Sequence, residues 1–218
     1  MLSAGTYGTT NFVTLPRIGP SLAERSGHLL RTRMNPIPSL KADITLAGTV
    51  NDEMLKTFVD QLARCSAKDG PVVLELTTTG GDADIPRRIA ADIRLARDHG
   101  GLDLYFLGKT TVYSGGVTVM SAFPVDRRFL TRDAVLLIHE RRMQKELKLD
   151  GALRASIAQV KDVLAELENG QALAADGFRD LVEGTALSME ALMQRVLDAN
   201  WYVRPDEALR LRLIAGVI

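Results

Sequence analysis

The chain has one cysteine, three histidines and 5% aromatic residues in a length of 218. A lone thiol cannot close an intramolecular disulfide, so the fold has to stand on a packed core, and the sequence suits a reducing compartment. Cys65 itself falls inside the helical pattern MLKTFVDQLARC, where a buried structural thiol accounts for it. An excess of one charge is missing too: 27 basic residues meet 27 acidic ones, which gives no broad field for nucleic acid or an anionic membrane. No apolar run approaches the ~18 residues of a membrane span. The opening MLSAGTYGTTNFVTLPRIGP shows neither a basic leader nor a continuous apolar stretch. Together these absences predict a cytoplasmic protein with no nucleic-acid or membrane partner.

Common chemical motifs are absent as well. No C-x-x-C, H-E-x-x-H or cluster of metal ligands occurs, so neither a metal nor another cofactor is expected. Gly108, Lys109 and Thr110 spell the end of a phosphate-binding loop, but Asp103 stands where its first glycine belongs and the apolar LYFL fills the cradle. The G-x-S-x-G elbow of α/β-hydrolases fails at Val112.

What is present is an alternating pattern. At 46% hydrophobic the chain can bury one sizeable core. Residues 1–42 show no sustained periodicity and read as an irregular N-terminal arm; residues 43–218 read as one α/β domain. In that domain DITLAG, PVVLELT and LDLYFLG have strand character, and NDEMLKTFVDQLARC and ADIPRRIAADIRLARD have helical character. SGGVTVMSAF reads as a short apolar helix, RRFLTRDAVLLIH as one or two strands, and residues 150–183 as a long helical region. Two more helical patterns and the strand LIAGVI complete it. Strands separated by helices imply crossovers and a largely parallel sheet.

Ligands of such sheets gather at the carboxyl ends of the strands. Three segments lie there: TTTGGD after PVVLELT, YSGG after LDLYFLG, and His139 after AVLLI. Glycine pairs let backbone amides approach a ligand, and a serine, a histidine and amide-rich turns are the parts of an acyl-transfer site. Each has a plainer reading: a Gly-Gly chain reversal, Ser114 as a helix N-cap, His139 as a satisfied residue at a strand end. His28 and His99 add nothing to the chemistry. Arg141, Arg142 and Lys145 of HERRMQK read as a solvated face that would lie near a substrate peptide.

From about Asp43 to Ile218 these residues resemble the proteolytic subunit of the ATP-dependent Clp protease, within the wider Clp/crotonase fold. ITLAGTV is similar to that family's opening strand and turn, LELTTTGGD stands where it has a strand and a Ser-Pro-Gly-Gly turn, and YSGG where its nucleophilic serine opens a buried helix. RRFLTRDAVLLIH looks like its strand-and-histidine segment, with twenty-five residues from Ser114 to His139. DGALRASIAQVKDVL resembles its handle helix, which places the handle at about 140–183, and WYVRPDEALRLRLI its closing segment. The resemblance implies a serine-type endopeptidase working through an acyl-enzyme. Ser114 would be the nucleophile, His139 the general base, and the amides of Gly81 and Gly115 the oxyanion hole. It also implies a peptide or unfolded protein substrate, a homo-oligomeric ring, commonly a heptamer or a stacked double ring, and an AAA+ ATPase unfoldase as partner. Departures are Thr79 for proline, Tyr113 before the serine and Glu140 after the histidine. Arg195 stands at the position of the triad acid, and Asp198, three residues on, is the nearest carboxylate. A catalytically silent ring subunit and a crotonase-type acyl-CoA enzyme are the alternatives.

Overall fold

The computed structural model describes residues 41–197 and 199–218. The irregular arm expected for residues 1–42 therefore lies, apart from its last two residues, outside the described part. Strand β1 (Ile44–Ala47) leads into helix α1 (Asp52–Cys65), followed by β2 (Val72–Thr78), α2 (Ile85–Asp98), β3 (Leu104–Tyr113) and α3 (Gly115–Ser121). Then come β4 (Arg128–Leu130), β5 (Val135–Ile138), α4 (Leu153–Val182), α5 (Met189–Val196), β6 (Trp201–Val203), α6 (Pro205–Arg210) and β7 (Gly216–Val217).

Local chemistry starts these helices where the sequence pattern places them. The Asn51 side chain accepts the Met54 amide at 3.0 Å at the head of α1, and Asp52 and Glu53 put negative charge in its first turn. Met54, Phe58 and Cys65 then share the face of α1 that meets the sheet. Burial raises the Cys65 thiol pKa, which fits the structural role expected of it. Helix α2 carries Pro86 in its first turn and buries Ile89, Ala90 and Ile93 at helical spacing.

The strands form one seven-stranded sheet with the order β1-β2-β3-β4-β7, and every pairing along that path is parallel. Strand β2 buries Val72, Leu74 and Leu76 in the main core and Val73 in a smaller apolar cluster with Tyr105, Leu107 and Phe129. The fold is thus the mixed α/β architecture with a mostly parallel sheet that the sequence predicts. The additional strand β6 runs antiparallel to β5, pairing Leu136 with Val203 and Ile138 with Trp201.

Strand β3 positions the site. Its first half pairs with β4, from Phe106 to Gly108, and its last residues pair with β5, from Thr111 to Tyr113. Between them its register with β2 slips: Leu76 faces Gly108, yet Thr78 faces Val112. The extra β3 residues surround Thr110, whose φ of 52° lies in the left-handed region. Such a bulge bends a strand and redirects the residues beyond it. Here it swings the end of β3 onto β5, so the residue after β3 lands beside the residue after β5.

Candidate active site

Those two residues are Ser114 and His139. The Ser114 amide donates to the Leu137 carbonyl at 2.8 Å, which fastens the strand-to-helix corner to β5. Its backbone has φ 53° and ψ −113°, a conformation rarely adopted by residues other than glycine. Ser114 occupies the N-cap position of α3, yet its Oγ makes no capping bond and no hydrogen bond with any described residue. The plain N-cap reading of this serine therefore fails. Tyr113, just before it, packs edge-on against Tyr202 of β6 with ring centroids 5.8 Å apart.

The Gly80–Gly81 turn lies against the same corner. Val50 N donates to Gly80 O at 3.0 Å and Asp82 N to Val50 O at 2.8 Å, pinning the turn between two strand ends. Gly80 has φ 96°, and a Cβ there would sit 2.9 Å from Ser114 Cβ. At Gly81 a Cβ would come within 2.3 Å of the Val50 carbonyl oxygen. Neither position admits a side chain without a shift of its neighbours, which is why both are glycine. The amides of Gly81 and Gly115 donate to no described residue. Gly80 does not stand out in the sequence as a site residue, because its constraint comes from a serine more than thirty residues away.

Ser114, Gly81, Gly115 and His139 all line one pocket that encloses about 200 Å³. Its far wall comes from the last turns of α4, through Leu173, Phe178 and Leu181. His139 is half-buried, and its Nδ1 lies 2.6 Å from the carbonyl oxygen of Glu140. A carbonyl only accepts, so this contact calls for the proton on Nδ1, which in the neutral ring leaves Nε2 with its lone pair. That is the tautomer in which an imidazole takes a proton from a neighbouring hydroxyl. No hydrogen bond joins His139 to Ser114 in this state, as is common before a substrate tightens such a site.

Where the resemblance calls for an acid, Arg195 has other partners. Its guanidinium pairs with Glu207 at 2.9 Å and stacks 4.5 Å above the Trp201 ring. Asp198 lies outside the described residues.

Charge near the pocket is mostly positive. Arg141 forks onto Asp84 with bonds of 2.8 and 3.1 Å, and this hydrogen-bonded cation holds the Asp84 carboxyl below its ordinary range while raising Arg141 in turn. The pair ties the loop after β5 to the head of α2. Arg142 donates to Asn200 Oδ1 at 2.8 Å. No group of three or more His, Cys, Asp or Glu side chains able to hold a metal occurs among the described residues. No described helix is long and apolar enough to cross a membrane.

Comparison with known proteins bears on the fold. No family model matches the chain, and no curated protein matches it by sequence. Among solved structures it is similar to a point mutant of ClpP1 from Listeria monocytogenes, with a TM-score of 0.64 at 17% identity, over 81% of this chain and 91% of that one. The chain therefore has a ClpP-like fold.

Proposed function

We propose that this chain is a serine-type endopeptidase that cleaves peptide bonds through an acyl-enzyme. One observation carries the reading: a serine held in a strained corner, with its Oγ unengaged, shares a pocket with a histidine in the required tautomer and with two undonated glycine amides. Ser114 Oγ attacks the scissile carbonyl as His139 Nε2 takes its proton. The tetrahedral oxyanion is held by the Gly81 and Gly115 amides. His139 then returns the proton to the leaving amine, and water repeats the sequence to release the acyl group. Amide donors of this kind are each worth about 100- to 1000-fold in rate. A peptide or unfolded segment is the substrate, and a self-compartmentalised ring served by an AAA+ unfoldase is the assembly in which the subunit works.

The test is covalent. An uncharged fluorophosphonate should label the wild-type chain at Ser114, as located by mass spectrometry, and Ser114→Ala should abolish labelling. Labelling of the variant at the wild-type level removes Ser114 as nucleophile. Absence of both labelling and peptide turnover in the wild type supports instead a silent ring subunit.

The same proposal keeps Asp198 as the triad acid, displacing the Glu140 carbonyl from Nδ1 when substrate is bound. Asp198→Asn should then lower kcat by at least about 100-fold, since losing the triad acid can cost up to ~10,000-fold. Unchanged kcat would exclude Asp198 and leave the Glu140 carbonyl orienting the imidazole.

A further inference from the structure

The residues lining the pocket include Arg87, Arg141 and Arg142 but, among those described, no aspartate or glutamate. Their states differ. Arg141 is bound in bidentate fashion to Asp84, and Arg87 lies 4.0 Å from the same carboxylate. Asp82, the next acid along, is engaged through Oδ1 by the amides of Asp84 and Ile85 at 2.7 and 2.9 Å. Farther along the loop, Lys145 and Glu166 satisfy each other. Arg142 is different: its partner is the neutral amide oxygen of Asn200, and it forms no ion pair with any described residue. Among the described residues, one Nη2 bond to an amide leaves most of its five donors and its charge unmatched. Pro86, Val117, Leu173 and Phe178 also line the pocket and make part of its surface apolar.

A guanidinium with no acidic partner among the described residues, at the rim of an apolar pocket, is the arrangement that selects a carboxylate on an otherwise apolar peptide. The fork geometry matches a carboxylate with two parallel bonds, and a peptide covering it excludes water and strengthens the attraction. The geometry points to Arg142 as a specificity-determining residue: the pocket takes peptide segments that carry a glutamate or aspartate beside the reacting bond, with neighbouring apolar residues against Leu173 and Phe178. This rests on the peptidase reading and names the substrate class of that same site. Arg141 keeps a separate role, since its fork is already filled by Asp84; it holds the loop that presents Arg142.

Binding separates this inference from the chemistry. On full-length Ser114→Ala protein, which leaves the substrate uncut, fluorescence anisotropy compares short labelled peptides of apolar and neutral residues that differ only by Glu, Gln or Lys, with the variable residue walked along the sequence. At one position Glu should bind about 10- to 100-fold more tightly than Gln, as a charge-assisted pair implies. The preference should weaken as salt rises. Adding Arg142→Gln should erase it, Arg142→Lys should retain part of it, and Arg142→Glu should turn it toward the Lys peptide. Equal affinity for the Glu and Gln peptides at every position, or binding of none of them, overturns the inference. So does a preference that survives Arg142→Gln. The uncharged fluorophosphonate reads Ser114 alone. A Glu preference with no labelling would keep the subsite and remove the peptidase reading; labelling with no preference would do the reverse.

Discussion

Ser114 is the residue on which both the backbone and the chemistry of the site turn. A non-glycine residue at φ 53° and ψ −113° costs on the order of 1–3 kcal/mol and persists only where its surroundings enforce it. Here the enforcement is visible in its amide bond to Leu137 O and in the Val117 amide bond to Ser114 O, at 2.8 and 2.9 Å. Turning Oγ back to cap α3 would satisfy an amide but take up the oxygen that the proposed mechanism uses, and the structure leaves it uncapped. Gly80 is the other half of this arrangement. In Gly80→Ala the new methyl would have to occupy a left-handed backbone position while lying 2.9 Å from Ser114 Cβ. Both atoms belong to short side chains with no flexible end to swing away, so the corner must shift. A misplacement on the order of 1 Å can cost about 100-fold in rate. The expected result is a drop of about 100-fold in the rate of fluorophosphonate labelling at Ser114, while circular dichroism shows the fold retained. Labelling at the wild-type rate would mean that Gly80 merely turns the chain.

At the scale of elements, the repeated strand and helix units were legible because they depend on local patterns: alternating or continuous apolar runs, an Asn51 cap, Pro86 in a first turn. The rule that ligands collect at strand carboxyl ends then brought Gly81, Ser114, Gly115 and His139 to one edge of the sheet. The bulge that joins them was not legible. Thr110 lies in KTT, which has no glycine or proline to announce a left-handed residue, and its conformation follows from two neighbouring strands competing for β3. Strand β6 escaped for a related reason, being three residues that pair only because β5 offers an edge. Arg128 is the clearest case of a residue whose environment the sequence could not reveal. Within RRFLTR nothing sets it apart from Arg127 or Arg132, yet it is 2% exposed and donates to the carbonyls of Ser121, Phe123, Leu181 and Leu213. Burial pushes its pKa down to about 10, still above neutral pH, and so it remains a cation there. Its partners, the tail of α3, the end of α4 and the segment before β7, are far apart in the chain, and only the folded topology assembles them. By joining α3 to α4 it also fixes the distance between the Ser114 corner and the apolar wall of the pocket.

In the whole molecule, one long helix presents an apolar face that nothing among the described residues covers. The first half of α4 exposes Leu153, Ile157, Val160, Leu164 and Leu167, from 82% exposure at Leu153 to 45% at Val160, and only Leu181 of this helix is buried. Their spacing alternates between four and three residues, the 3.5-residue repeat of a seam that packs helix against helix. Burying one such aliphatic side chain contributes roughly 1.5–3 kcal/mol, and a contiguous apolar patch of this extent marks an interaction surface. The last turns of α4 are already held, by the Arg94 to Asp180 ion pair at 3.2 Å and by packing of Phe178 and Leu181 against the core, so the exposed half projects from a fixed base. A second copy of the same helix is the partner that the ring proposal supplies, since two antiparallel copies of one seam are self-complementary. The chain should therefore sediment as a particle several times its 23.8 kDa mass. In Val160→Glu/Leu164→Glu, placing two carboxylates in the middle of that seam should halve the particle mass in analytical ultracentrifugation, separating stacked rings while each ring stays closed. The pocket lies at the other end of α4, so fluorophosphonate labelling at Ser114 should persist in the half-size particle. A wild-type monomer, or a variant particle of unchanged mass, would show that this helix does not join copies of the chain.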